Sequence, residues 1–282
     1  MVSEKNNNCP VPTGTLLIIG GHESKDGPDD KNRPPEILKG FIDLMDRKDG
    51  VIEVITTASS VPEELFEDYR SAFVNLGVKN IGHIHHTSRL DAIKNNFEDR
   101  LNNAGGVFFA GGDQLKLTSI YGGTDLLLLL KNRYIHQKIV IGGTSAGAMA
   151  MSTPMIYAGN KNVQQLTGEV KITVGLEFLK DVCIDTHFVD RSRFVRMAQV
   201  VATNPTCIGI GIEENTAIIV RNGKEAEIIG SGVVIVIDGN GITASNVYDT
   251  NTDNYIAVEN LKVHLLSKRL TYHLPQNNPP HI

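Results

Sequence analysis

The stretch from Lys138 to Ser152, KIVIGGTSAGAMAMS, constrains this chain more than any other. Its short β-branched run, 138–141, reads as a buried strand of a parallel sheet. Gly142 and Gly143 read as the end of that strand. The small residues Ala146, Ala148 and Ala150 read as the start of a closely packed helix. Between strand and helix, Gly143, Ser145 and Gly147 form G-x-S-x-G, the pattern that lifts a serine onto a sharp strand-to-helix turn. A helix start also presents free N–H groups and a positive dipole end where an oxyanion would form, which makes the Ala146 N–H a candidate donor. A phosphate cradle or a plain strand-to-helix corner would produce the same local pattern, so the rest of the chain has to decide.

The flanking sequence supplies a frame for that turn. TLLIIGG (15–21) reads as a first strand, followed by a polar loop rich in charge and proline (22–36). Apolar residues then recur at helical spacing over 35–48, 62–76 and 89–103, alternating with strand-like segments at 51–57, 80–86 and 105–112. This alternation predicts an α/β protein with a mostly parallel, doubly wound sheet and right-handed crossovers. Ligands in such sheets lie beyond the strands' carboxyl ends, where the glycine pairs 20–21, 111–112 and 142–143 all point. Further strands are expected at 182–187 and 207–212. The N-G and D-G turns at 221–224 and 238–241 predict antiparallel hairpins added to the sheet's edge. We expect one catalytic domain over 13–274, with disordered tails at 1–12 and 275–282.

Composition narrows the function classes. A formal net charge of −5 argues against nucleic acid or an anionic membrane as the main partner, since both require a basic surface. The leucine run 126–130 is too short to span a bilayer, and the polar start of the chain has no apolar leader. Three scattered cysteines, Cys9, Cys183 and Cys207, suggest neither a disulfide framework nor a zinc site, which fits a reducing cytoplasm.

A serine nucleophile needs a base, and the base needs a group to hold its tautomer. Of nine histidines, His187 is the best placed, because it closes the strand VCIDTH. His83, His85 and His86 read as solvent-facing, with no cysteine or carboxylate at ligand spacing, so no metal site is expected. Glu213, Glu214 and Asp185 compete for the orienting role. The run Asp190 to Arg196, DRSRFVR, carries guanidinium forks suited to carboxylates at Arg191, Arg193 and Arg196. The turn at 111–114 offers the N–H groups of Gly112 and Asp113 to the same oxyanion as Ala146, with Gln114 as a directional side-chain ligand.

Taken together, GGHESK at 20–25, FFAGGDQLKL at 108–117, GGTSAGA at 142–148, DTHFVDRSRFVR at 185–196 and GIGIEENTA at 209–217 resemble one family. It is the group of serine peptidases that includes cyanophycinase and, more distantly, the aspartyl dipeptidases. The resemblance implies a flavodoxin-like fold related to the class I glutamine amidotransferases, with serine in place of their cysteine. It implies Ser145 as nucleophile, His187 as base and Glu214 as orienting acid, and no cofactor. It also implies a pocket of Gln114, Asp185, Thr186, Arg191, Arg193 and Arg196, and a homodimer. The implied substrate is cyanophycin, cleaved to β-aspartyl-arginine dipeptides, with short aspartyl or isoaspartyl peptides as the alternative. Thr186 departs from the family, whose cyanobacterial members carry glutamine before the histidine.

Overall fold

The computed structural model describes residues 10–25, 35–47, 49–159, 164–248 and 255–274. The expected disordered tails, apart from 10–12, and the polar loop over 26–34 lie outside the described residues, as does Cys9. In chain order the first half comprises β1 (Thr15–Ile19), α1 (Glu36–Leu44), β2 (Val51–Ile55), α2 (Pro62–Asn75), β3 (Ile81–Ile84), α3 (Arg89–Lys94), α4 (Glu98–Asn103), β4 (Ala104–Phe109), α5 (Gln114–Tyr121), α6 (Asp125–His136), β5 (Val140–Thr144) and α7 (Ala146–Ala150). The second half comprises β6 (Ser152–Thr153), β7 (Met155–Ala158), β8 (Lys171–Thr173), β9 (Leu179–Lys180), β10 (Val182–Thr186), α8 (Phe194–Thr203), β11 (Ile208–Ile212), β12 (Thr216–Arg221), β13 (Glu225–Gly230), β14 (Val234–Asp238), β15 (Ala244–Ser245), β16 (Val258–Glu259), β17 (Lys262–Leu266) and β18 (Thr271–His273).

An eight-stranded sheet runs in the order β18-β13-β12-β1-β5-β4-β2-β3. Its strands β1 to β5 pair in parallel, and β12, β13 and β18 extend the β1 side antiparallel. The parallel strands are apolar on both faces because helices cover both. On one face Ile37, Leu38 and Phe41 of α1 and Tyr69 and Phe73 of α2 pack against Phe108. Phe41 and Phe73 meet the Phe108 ring edge-on, with centroids 5.5 and 5.9 Å apart. Burying each such ring contributes about 2–3 kcal/mol. A second sheet, β17-β14-β11-β10-β6-β9, stands beside the first. One continuous apolar core draws Leu16, Ile18 and Ile141 from the first sheet and Ile184, Ile210 and Val236 from the second.

Several local expectations change. The strands at 182–186 and 208–212 pair with each other in the second sheet and do not extend the first. The N-G turn at 222–223 does join a hairpin, β12 to β13, at the first sheet's edge. The D-G turn after β14 forms no hairpin: the residues beyond it carry no apolar alternation, and β14 pairs instead with β17. The helix expected over 89–103 is two helices, α3 and α4, because the chain breaks at Asn95–Asn96 and Phe97 takes a left-handed φ of 50°. Strand β5 runs through Gly142 and Gly143 to Thr144. The two glycines give close packing rather than a strand end: a Cβ at Gly142 would press on the Phe41 and Phe108 rings, and one at Gly143 on the Gly147 backbone at 2.7 Å.

Candidate active site

Three consecutive carbonyls beyond the centre of the first sheet organise the site. The Ile19 carbonyl accepts the N–H of Ser145 (3.1 Å), Gly20 that of His187 (2.9 Å) and Gly21 that of Asn215 (2.8 Å). The end of β1 thus fixes the backbone at two of the three candidate catalytic residues, and beside the third. The close approach requires glycine. A Cβ at Gly20 would sit 1.9 Å from the Glu213 carbonyl oxygen, and one at Gly21 2.4 Å from the His187 ring. Ser145 makes the turn itself, with φ 51° and ψ −115°. That conformation costs a non-glycine residue on the order of 1–3 kcal/mol, and surrounding bonds must hold it. Part of the hold is buried Glu23, whose carboxylate accepts from Thr144 Oγ1 (2.7 Å) and from the Tyr69 hydroxyl (2.5 Å). Burial, and then the Glu23 charge, push the Tyr69 hydroxyl well above its ordinary value, so it remains a donor.

Ser145, His187 and Glu214 meet in a relay. Ser145 Oγ lies 2.9 Å from His187 Nε2, and His187 Nδ1 lies 2.6 Å from Glu214 Oε1. With Nδ1–H donating to the carboxylate, Nε2 is left as an acceptor for the serine proton. Burial lowers the His187 pKa from the ordinary imidazole value, outweighing the opposite pull of Glu214, and so favours the neutral base. Burial pushes the Glu214 carboxyl up, but the hydrogen bonds from His187 and His22 overcome it, and the net shift is downward. Glu213 takes no part, since its Oε2 accepts the Val233 N–H (2.8 Å).

The relay opens into a pocket of about 610 Å³ whose wall includes Gly112, Gln114, Ala146, Thr186, Asp190 and Arg191. Gln114 is held there by donation to the Ile156 carbonyl (2.9 Å). Asp185 is not in the wall. It is fully buried, and its carboxylate is already satisfied by Arg193 Nη1 (2.9 Å), Arg196 Nε (2.6 Å), Arg196 Nη2 and the Thr186 N–H (2.9 Å). Arg196 also spends Nη1 on the Gly159 carbonyl (3.1 Å), so its fork is committed within the protein. Among the described residues Arg191 has no such partner. Asp113 is likewise corrected as an oxyanion donor: its N–H goes to the Ala58 carbonyl (3.0 Å), and its side chain caps α5 through the Leu115 N–H. Gly112 and Ala146 remain.

Two wall residues have buried polar atoms without a hydrogen-bond partner, Thr186 Oγ1 and Gln164 Oε1. Gln164 carried no motif in the sequence and reaches the pocket only through the fold. His22, inside the GGHESK segment, carries no pattern of its own in the sequence, yet its Nδ1 lies 2.8 Å from the second Glu214 oxygen.

The remaining titratable clusters are structural. None of His83, His85 and His86 is fully solvent-facing. His86 is buried between the Tyr121 hydroxyl (2.9 Å) and the Asn95 carbonyl (2.7 Å), and His83 stacks on Phe66 with centroids 4.3 Å apart. Cys183 and Cys207 are buried; burial raises both thiols, that of Cys207 to about 12, which leaves them unreactive. Among the described residues, the cation-ligand atoms of His22, His187 and Glu214 lie within 4.8 Å of one another. Each Nδ1 there already faces a carboxylate oxygen at hydrogen-bond distance.

The profile of peptidase family S51 matches residues 16–229, which include Ser145, His187 and Glu214 and the pocket residues around them. The chain belongs to peptidase family S51. Within that family it is 31% identical over 268 residues to a cyanophycinase of Synechococcus elongatus, an alignment covering 95% of this chain and 81% of that one. It is 29% identical to a cyanophycinase of Geminocystis herdmanii, covering 94% and 95%. The crystal structure of a peptidase from an acI-B1 actinobacterium superposes with a TM-score of 0.67 at 20% identity, over 94% of this chain and 98% of that one. This S51 peptidase therefore has the flavodoxin-like α/β fold that its sequence implied. No described helix is long and apolar enough to cross a membrane.

Proposed function

We propose that this S51 serine peptidase is a cyanophycinase, releasing β-aspartyl-arginine dipeptides from the polymer, with residues 13–274 as a single catalytic domain. The observation that carries the reading is the Ser145–His187–Glu214 relay opening on a pocket that holds the uncommitted Arg191 and the exposed carboxylate of Asp190. Cyanophycin presents both carboxylates and guanidinium groups, so its recognition needs a cation and an acceptor together. Asp190 replaces Asp185 as the acceptor we assign.

In the reaction Ser145 Oγ adds to the scissile carbonyl carbon while its proton passes to His187 Nε2. The C–N bond then breaks, and the leaving amine takes that proton. Water enters by the same route, its proton going to Nε2, its oxygen to the acyl carbon, and Oγ leaves with the proton. Glu214 holds the imidazole in its tautomer and faces the imidazolium that forms. The N–H groups of Gly112 and Ala146 receive the oxyanion, Ala146 being the first residue of α7 and so without an acceptor inside the helix.

We further propose a cytoplasmic homodimer, in which buried, unreactive thiols suit a reducing compartment; size-exclusion chromatography with light scattering tests the dimer. The activity test incubates purified protein with insoluble cyanophycin and identifies the soluble products by mass spectrometry. We expect β-aspartyl-arginine from the wild type and none from Ser145→Ala. Cleavage of free aspartyl dipeptides with the polymer left intact would establish the dipeptidase specificity instead.

A further inference from the structure

We propose that His22 is a positioning residue of the relay, holding the second oxygen of Glu214 so that the first stays on His187. The inference rests on the hydrolytic reading above. His187 and His22 each take one of the two carboxylate oxygens, at 2.6 Å on Oε1 and 2.8 Å on Oε2. The His22 ring also meets the His187 ring edge-on, with centroids 5.0 Å apart. A carboxylate with one tethered oxygen rotates about its last bond, whereas one with both tethered does not, and the orientation of the base follows from it.

The backbone shows that this placement is imposed. His22 has a φ of 48°, a left-handed conformation that non-glycine residues avoid, although its side chain is 67% exposed and gains little from packing. The strain is held in place on both sides. The carbonyl of Gly21 accepts the Asn215 N–H, the side chain of buried Glu23 is bonded to Thr144 and Tyr69, and the Ser24 N–H donates to Asn215 Oδ1 (3.0 Å). An exposed, strained residue fixed at a catalytic carboxylate has a role in the site rather than in the core.

The experiment compares His22→Gly with His22→Asn in the full-length protein. Both residues tolerate a left-handed φ, but only asparagine carries an N–H near the place of Nδ1. We expect His22→Gly to lower kcat about tenfold with KM and melting temperature nearly unchanged, and His22→Asn to stay within about twofold of wild type. His22→Phe, which keeps a ring without the donor, should match the glycine variant. Glu214, Arg191 and His22 are the charged or titratable groups that act on His187. Removing His22 takes away an imidazole whose charge opposes protonation of His187, so the acid limb of kcat/KM should move to higher pH in His22→Gly. An unchanged kcat in His22→Gly, or equal losses in the asparagine and glycine variants, would overturn the proposal while leaving the peptidase reading intact. Undiminished turnover in Ser145→Ala would remove both.

Discussion

Two carboxylates stand at the junction of the two sheets, and they are treated in opposite ways. Asp185 is fully buried, surrounded by two guanidinium groups and a backbone N–H, with every oxygen satisfied. Glu214 has a side chain 22% exposed and is held by two imidazoles, one of which, in the proposed reaction, changes its protonation state in each cycle. The first is a closed ion cluster whose arginines, Arg193 and Arg196, line the pocket while its carboxylate lies behind them. The second is an open arrangement whose ionised form is useful because its partner can take up a proton. A polar group saturated within the protein supports the site, whereas one held by a titratable partner is the one we assign to the reaction.

Substitutions sharpen that contrast. Glu214→Gln should have the largest effect on rate: an amide cannot stabilise the imidazolium, and kcat should fall by a factor on the order of 10³ or more with little change in KM. A large rise in KM with kcat preserved would move Glu214 to substrate binding. Asp185→Asn should act on stability. Leaving buried Arg196 and half-buried Arg193 incompletely compensated costs about 3–5 kcal/mol, read in denaturant titration as a lowered midpoint. Full stability with a raised KM would return Asp185 to the pocket.

Arg191→Lys keeps the charge but loses the bidentate fork, worth roughly 1–3 kcal/mol where a charge-assisted hydrogen bond is lost. We expect kcat/KM on cyanophycin to fall about tenfold, with a smaller change on an activated ester that reaches only Ser145. Equal losses on both substrates would show that Arg191 supports the relay and does not read the polymer. The smallest effect concerns pH. The His187 pKa lies below the ordinary 6.5, chiefly through burial, so the free base persists to lower pH and the acid limb of kcat/KM should have its midpoint below that value. The sign for stability is the same: the unfolded chain binds the proton more readily, so this contribution is present above about 6.5 and lost as pH falls. An acid midpoint at or above 6.5 contradicts the burial argument.

How far the sequence carried the structure follows the range of the interactions involved. Ser145 and its turn were legible because a glycine-flanked serine between a strand and a helix is a local pattern, and the alternation over 15–144 was legible for the same reason. The identity of the orienting acid was not local. Glu213, Glu214 and Asp185 differ only in which distant donors reach them, Val233 for the first, His187 for the second and two arginines for the third. Periodicity marks 182–187 and 207–212 as strands but does not say which sheet they join, because pairing partners are chosen across the core. The Asp113 N–H looks free in the sequence because the carbonyl that occupies it belongs to Ala58, in another segment. His22 lay in a motif with recognisable residues and no local reason for any of them.

The run of carbonyls at Ile19, Gly20 and Gly21 gives the enzyme a common datum. Residues scattered over some seventy positions of the chain are each registered against neighbouring peptides of one strand end, so a displacement of that strand carries the proposed nucleophile, base and acid together and leaves their separations intact. Tolerance to breathing elsewhere is thereby built into connectivity rather than rigidity. The amides of Ser145, His187 and Asn215 should then exchange their hydrogens as one unit, released only when β1 itself lets go.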